Sequence, residues 1–245
     1  MTAVEITGLW KKFRVYHDRA SSLKERLIFW HRSRADEFWA LKNINLTVPR
    51  GATLGLIGRN GSGKSTLLKI ISRILYPTHG RVKVNGRVST LLELGAGFHP
   101  DFTGRENIFL NASILGLTRK EIKERLDDII AFAELGDFIN NPVRTYSSGM
   151  YMRLGFAVAV HVNPDILLVD EVLAVGDLAF QEKCLNRIRE LQKKGVTIVF
   201  VTHNPKQVEE LCDSAVWLDK GEVRFTGPAK EAAQAYAAFI GTRAN

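Results

Sequence analysis

The chain has 245 residues, enough for one large domain or two small ones and too few for a tandem multidomain enzyme. Hydrophobic residues make up 45% and charged residues 24% of it, as in soluble globular proteins, which argues against disorder, collagen and a coiled coil. The formal net charge is +8, and residues 11–34 alone hold eight basic and two acidic side chains. Such a stretch can contact nucleic acid or anionic lipid, or it can simply be solvated, and composition alone does not distinguish these possibilities.

The sequence predicts neither secretion nor a membrane span. Its first residues lack the basic and apolar regions of a signal peptide, and no stretch approaches the roughly eighteen uncharged apolar residues of a spanning helix. We therefore expect a cytosolic chain. Cys184 and Cys212 lack the spacing of a metal site, and we expect them to be buried, reduced thiols.

The first clear element in chain order is a buried strand at Thr53–Ile57, which a glycine-rich turn joins to a helix. From residue 98 to residue 160 the pattern is mostly helical, and Thr118 and Glu121 have the spacing of a capping box. The apolar face of the first helix is predicted to hold Leu67, Ile70, Ile71, Ile74 and Leu75.

Three further buried strands are predicted at 166–169, 197–201 and 215–218, and Asn204–Pro205 has the pattern of a helix start. Strands that alternate with helices favour a parallel sheet with helices on its faces. The sequence therefore predicts one α/β domain, with a core of about residues 1–97 and 161–245 and an inserted helical subdomain of about residues 98–160.

Residues 58–65 fit the phosphate-binding pattern G-x-x-x-x-G-K-[ST], between the predicted strand and helix. Glycines let the backbone curl so that its N–H groups point at phosphate oxygens, and the following helix adds its positive end. Lys64 would reach the β- and γ-phosphates and Ser65 would hold Mg²⁺, whereas a merely flexible turn is the alternative. The predicted nucleotide contacts are Gly58, Asn60, Gly61, Gly63, Lys64, Ser65 and Thr66.

The predicted strand at 166–169 ends in two acids, Asp170 and Glu171. Because the carboxyl ends of parallel strands share one edge of a sheet, Asp170 should lie beside the phosphate loop. We predict that Asp170 holds the metal and that Glu171 acts as the general base. Without the phosphate loop, the same pattern would more often be a strand end with solvated acids.

Residues 146–150 read Tyr-Ser-Ser-Gly-Met and resemble the signature motif of ATP-binding cassette (ABC) proteins, which is usually Leu-Ser-Gly-Gly-Gln. Ser147 and Gly149 match that motif. Asp177 ends a stretch at the position of the family's D-loop, and His203 falls at its switch histidine. The resemblance covers essentially the whole chain, and it depends on the order of all five motifs because each alone is weak.

The resemblance implies a P-loop NTPase with two lobes that hydrolyses ATP with Mg²⁺ and works as a head-to-tail dimer. Ser147 and Gly149 would contact the γ-phosphate of the partner's ATP, Asp177 would lie among the nucleotide contacts, and His203 would sense the γ-phosphate. Family members stack an aromatic residue on adenine, for which Phe13 is the first candidate and Tyr16 the second.

One departure from the family pattern concerns its Gln loop, which links magnesium or water to the transporter contact. The corresponding residues 91–100 read Leu-Leu-Glu-Leu-Gly-Ala-Gly-Phe-His-Pro and contain no Gln. Glu93 or a neighbouring residue is the candidate replacement.

Residues 92–98, 103–108, 146–150 and 170–177 together look like those of the ATPase subunits of O-antigen and teichoic acid exporters. In that subfamily the ATPase pairs with a membrane subunit that moves an undecaprenyl-diphosphate-linked polymer outward. The implied partners are a second copy of the chain, an integral membrane permease and, through it, the lipid-linked polysaccharide, with no nucleic acid. The implied location is the cytoplasmic face of the cell membrane.

The insertion at residues 14–36 fits this resemblance, since the subfamily has a gate helix there near the membrane. Residues 22–32 could form a basic amphipathic helix facing an anionic head group, or a helix that packs on its own domain with solvated charges. The chain ends at Asn245, so we expect it to lack the carbohydrate-binding domain of some members. The alternatives are the ATPase of another transporter such as a small-solute importer, a DNA-associated ABC ATPase, and a nonenzymatic ATP-binding regulator.

Overall fold

The computed structural model describes residues 1–16, 35–92, 94–170 and 176–243. The predicted basic helix at 22–32 lies outside the described residues, as do Glu93 and Glu171. The described chain forms two sheets and seven α-helices, and within it no helix is long and apolar enough to cross a bilayer.

The central sheet has six strands in the order β5-β6-β7-β3-β8-β9. All neighbouring strands are parallel except for the β8–β9 pair at one edge. Every residue of β3, β6 and β7 is buried, as their continuous apolar sequences predict for strands covered on both faces. The four predicted strands are confirmed. In chain order the six are β3 (Thr53–Ile57), β5 (Val88–Thr90), β6 (Ile166–Val169), β7 (Thr197–Thr202), β8 (Ser214–Asp219) and β9 (Glu222–Pro228).

A second, antiparallel sheet has the order β2-β1-β4, formed by β1 (Thr2–Tyr16), β2 (Ala35–Pro49) and β4 (His79–Val84). Its inward side chains, among them Ile6 and Ile44, pack against the first helix and the central sheet in one apolar cluster. This separate sheet was not predicted from the sequence.

The first helix, α1 (Lys64–Ile71), is shorter than predicted. Arg73 takes the left-handed conformation at φ 63°, and the N–H of Leu75 bonds back to the carbonyl of Lys69 at 2.9 Å. This bond closes the helix end. The prediction that Ile74 and Leu75 continue the helical face is therefore wrong, and Ile74 is 45% exposed.

Three helices between β5 and β6 pack around an apolar cluster of their own. They are α2 (Gly104–Ile114), α3 (Arg119–Ala133) and α4 (Ser148–His161). The predicted capping box of Thr118 and Glu121 is confirmed at the start of α3, and a second one, from Thr103 to Glu106, starts α2. The second box has the same spacing but was not predicted from the sequence.

The remaining helices complete the layers around the central sheet. They are α5 (Leu178–Lys193), α6 (Pro205–Leu211) and α7 (Ala229–Arg243). Asn204 caps α6 and Pro205 is its first residue, which confirms the predicted helix start.

Candidate nucleotide site

The loop at residues 58–63 joins the buried strand β3 to α1 at the carboxyl edge of the central sheet. Gly63 is the N-cap of α1, and its backbone is left-handed at φ 107°. A Cβ there would lie 2.7 Å from the carbonyl oxygen of Ala40, so only glycine fits. No side chain of the described residues caps α1, and its first N–H groups are therefore available to an anion.

Lys64 is 6% exposed and folds over this loop. Its Nζ donates to the carbonyl oxygen of Gly58 at 2.7 Å and to that of Arg59 at 3.1 Å. Buried ammonium groups need such partners because burial removes their hydration. The loop carbonyls thus hold a positive charge beside the N-terminus of α1, where both attract phosphate.

A cavity of about 520 Å³ opens over the loop. It contains eight residues that the sequence analysis predicted as site residues. Two further lining residues, Phe38 and Ala40, were missed, and Phe38 lies opposite Phe13 in the β1–β2 ladder. The lining residues are Phe13, Phe38, Ala40, Asn60, Gly61, Gly63, Lys64, Ser65, Thr66 and Asp170.

Asp170 and His203 follow neighbouring strands of the sheet. Asp170 comes directly after β6, and His203 directly after β7, which lies between β6 and β3. Asp170 is partly buried and lines the cavity. His203 is exposed and lies outside the described cavity lining, although its strand ends at the same edge.

Ser147 and Gly149 lie at the start of α4. Ser147 is the N-cap, and its Oγ accepts from the N–H of Met150 at 3.2 Å. Apart from its chain neighbours and the backbone of its own helix, a Cβ built on Gly149 would have, among described atoms, only the Ser147 Oγ within 4 Å, at 3.9 Å. Ser147 is exposed, and neither Ser147 nor Gly149 is among the described residues that line the cavity over the phosphate loop.

Asp177 is likewise outside the described lining of the cavity. Its carboxylate caps α5 by accepting from the N–H of Phe180 at 2.9 Å and pairs with the guanidinium of Arg153 at 2.8 Å. The N–H of Phe180 and, after it, Arg153 lower the pKa of Asp177 below its usual value. Gly58, buried at the end of β3, contributes the carbonyl that Lys64 contacts.

The sequence matches the ABC transporter family over residues 41–174. It is 54% identical over 243 residues to the O-antigen export system ATP-binding protein RfbB of Myxococcus xanthus, covering 96% of this chain and 56% of that protein. The protein of the same name from Klebsiella pneumoniae is 48% identical over 239 residues, with 95% and 96% covered. The teichoic acids export ATP-binding protein TagH of Listeria innocua is 46% identical over 231 residues, with 94% and 68% covered.

The fold matches solved ATP-binding cassettes. One was captured as a dimer in a post-hydrolysis state with ADP and Pi, and it superposes with a TM-score of 0.73 at 24% identity over 92% of this chain and 98% of that chain. The ATP-binding subunit of an ABC transporter superposes with a TM-score of 0.76 at 23% identity over 96% of this chain and 93% of that chain. At such low identities the likeness establishes the fold, and the predicted P-loop NTPase architecture is confirmed.

Proposed function

The chain belongs to the ABC transporter family, and from this premise we propose that it is the ATP-hydrolysing subunit of an exporter of lipid-linked polysaccharide. The observation that carries the ATPase assignment is the shared cavity of Lys64, the N-terminus of α1 and Asp170. A buried cation and an uncapped helix N-terminus suit phosphates, and a carboxylate beside them suits their metal.

The phosphates would bind to the loop in the conformation described above. The N–H groups of residues 60–66 would surround the β-phosphate, and Lys64 would contact the β- and γ-oxygens. The Ser65 hydroxyl and the Asp170 carboxylate line the same cavity and are the oxygen ligands that Mg²⁺ prefers. When bound, Mg²⁺ would neutralise charge on the β- and γ-oxygens.

Hydrolysis would use Glu171, the residue after Asp170, as general base. It would take a proton from the water that attacks the γ-phosphorus, while the bond to the β–γ bridging oxygen breaks and ADP leaves. His203 follows β7, which lies between β3, the strand before the phosphate loop, and β6, the strand before Asp170. It would contact the γ-phosphate and position that water.

Two chains would complete each site. The N-terminus of α4, where Ser147 is exposed, is a positive helix end with a hydroxyl and a glycine, which suits a γ-phosphate presented by another subunit. In a head-to-tail dimer, Ser147 and Gly149 would meet the ATP held by the partner's phosphate loop. Asp177, at the N-terminus of α5, would contribute from the same interface.

The transported substrate is proposed from the relatives. Two of them are O-antigen export proteins and a third is a teichoic acid export protein. We infer an undecaprenyl-diphosphate-linked polymer, moved by an integral membrane permease with this chain bound at the cytoplasmic face. ATP binding would close the dimer, and hydrolysis would reset it.

The ATPase proposal is tested with the purified chain, two site variants and one control variant. Lys64→Ala should abolish nucleotide binding, whereas Lys120→Ala, which changes an exposed lysine of α3, should bind as the wild type does. Glu171→Gln should bind ATP, stop turnover and accumulate as an ATP-bound dimer. Wild-type turnover in Glu171→Gln would show that this residue is not the general base.

The substrate is tested in the cell. Depletion of the chain should leave undecaprenyl-linked glycan on the cytoplasmic leaflet, and mass spectrometry would identify the polymer. Unchanged envelope polymers after depletion, with no accumulated glycan, would refute polysaccharide export and favour another transporter partner.

A second test in the cell concerns the basic segment. Neutralising Arg26 and Arg32 together should impair export and spare ATP hydrolysis.

A further inference from the structure

The stretch that lacks the family's Gln is bonded to α4. The hydroxyl of Tyr151, in the first turn of α4, donates to the carbonyl oxygen of Gly95 at 2.8 Å. The ring of Phe98 meets the Tyr151 ring edge-on, with centroids 5.1 Å apart. One hydrogen bond and one aromatic contact therefore join this loop to the helix whose N-cap is Ser147.

Two glycines allow the loop to lie directly on the helix. Gly95 has a left-handed backbone at φ 76°, and a Cβ there would lie 2.3 Å from the Tyr151 ring. A Cβ on Gly155, one turn further along α4, would lie 2.7 Å from the backbone nitrogen of Gly95. Any larger residue at either position would separate the loop from the helix.

The loop is also bonded to α2. Asn111 donates to the carbonyl oxygen of Ala96 at 2.8 Å. Asn107, which is fully buried, accepts from the N–H of His99 at 2.7 Å and donates to the His99 carbonyl at 3.0 Å. Residues 95–99 are thus attached to two helices of the helical segment.

A few residues upstream, the described backbone is attached to the central sheet and not to the helices. The N–H of Leu91 bonds to the carbonyl oxygen of Leu168 in β6 at 2.8 Å, so Leu91 belongs to the central sheet. The boundary between core-attached and helix-attached backbone therefore lies between Leu91 and Gly95. A displacement of the loop beyond that boundary would act on the first turns of α4, because the later turns, with Phe156 and Val160, pack against strands of the central sheet.

We infer that Tyr151 is a positioning residue. It joins residues 95–98 to the N-terminus of α4 so that the two move together. This loop therefore sets the position at which Ser147 and Gly149 meet the partner's nucleotide. Tyr151 lies one turn from the N-cap, and its own N–H bonds to the Ser147 carbonyl at 3.0 Å. This inference rests on the proposed ATP-bound dimer. It assigns to the Tyr151 hydroxyl a coupling between residues 95–98 and the signature residues Ser147 and Gly149.

The test compares Tyr151→Phe with Ser89→Ala. Tyr151→Phe removes the hydroxyl and keeps the ring contact with Phe98. Ser89, buried on β5, also donates to a carbonyl of α4, that of Ala159, at 2.8 Å, so Ser89→Ala removes a matched bond that does not involve the loop. Both variants should lose comparable thermal stability, which makes Ser89→Ala the control for a merely structural effect.

We expect Tyr151→Phe to leave ATP affinity of the single subunit unchanged. In the Glu171→Gln background, its ATP-bound dimer should dissociate about three- to tenfold more readily, the effect of one hydrogen bond. With Glu171 present, kcat should fall by a similar factor, and amide hydrogen exchange of residues 95–99 in the free subunit should accelerate. Ser89→Ala should show none of these changes.

The outcomes separate the two proposals. A wild-type chain that neither hydrolyses ATP nor dimerises with it would overturn the proposed function and this inference together. If the wild type dimerises and Tyr151→Phe dimerises equally well, the inference alone is wrong. Equal weakening of the dimer in Ser89→Ala would also overturn it, because the effect would then follow stability.

Discussion

Arg153 of α4 forms an ion pair with Asp177, the N-cap of α5, with Nη2 and Oδ2 2.8 Å apart. The same guanidinium lies 4.6 Å from the centre of the Phe180 ring and 3.4 Å from a carboxylate oxygen of Glu134, at the end of α3. One side chain, only 20% exposed, therefore joins three helices. Its contacts connect α4, whose N-cap is Ser147, to α5, whose N-cap is Asp177.

Arg153→Gln should lower the free energy of unfolding by about 1–2 kcal/mol, because it removes a partly buried charge pair and a cation–π contact. Urea denaturation measures the loss. The matched control is Arg144→Gln, whose ion pair with Asp101 is 60% exposed on both sides and should contribute less than about 1 kcal/mol. Equal losses in the two variants would show that the three-helix contact adds nothing beyond a surface pair.

The parts of the site that the sequence predicted depend on local patterns. The phosphate loop, Lys64 and Asp170 each follow from a strand whose end is fixed by its own apolar run, and the structure brings these residues into one cavity. The early end of α1 was not predictable from periodicity, since the apolar spacing continues through Ile74 while the backbone turns at Arg73. The spacing of apolar residues indicates which side chains could share a buried face. It does not indicate where the backbone hydrogen bonding of a helix ends.

The parts that were missed depend on contacts between distant residues. Phe38 lines the cavity because the β1–β2 register places it opposite Phe13, 25 residues away. Tyr151 meets Gly95 across 56 residues. Neither pair has a local signal, although the glycine at position 95 could have indicated a close approach.

Phe13→Ala should weaken ATP binding about five- to hundredfold, because stacking of a base on an aromatic ring is worth about 1–3 kcal/mol. Phe38→Ala should weaken it less, since Phe38 is 56% exposed. Inorganic triphosphate, which has no base, should bind both variants as it binds the wild type. The control is Phe138→Ala, a similarly exposed phenylalanine outside the cavity lining. Calorimetry that finds normal ATP affinity in Phe13→Ala would remove this residue from the adenine site.

The two thiols should be unreactive in the folded chain. Cys184 and Cys212 are free, and burial raises the pKa of each to about 12, so the reactive thiolate is scarce near neutral pH. A thiol reagent should therefore modify the native protein slowly and should count two thiols after denaturation. Rapid modification of the native chain would show that a cysteine environment is open to solvent.

Stability should depend on pH through His161, near the end of α4. Burial, and after it the Arg187 guanidinium, lower the pKa of His161, against the opposing effects of the Ala157 carbonyl, Asp128 and Glu190. The folded chain therefore resists protonation of a ring that the unfolded chain protonates near its ordinary pKa of about 6.5. The stability linked to this group is complete above about pH 6.5 and is lost as the pH falls towards the lower folded pKa. Urea denaturation at about pH 7.5 and about pH 5.5 should show that the stability advantage of the wild type over His161→Gln shrinks at the lower pH. An advantage that grows instead would mean that the folded chain holds His161 in its charged form.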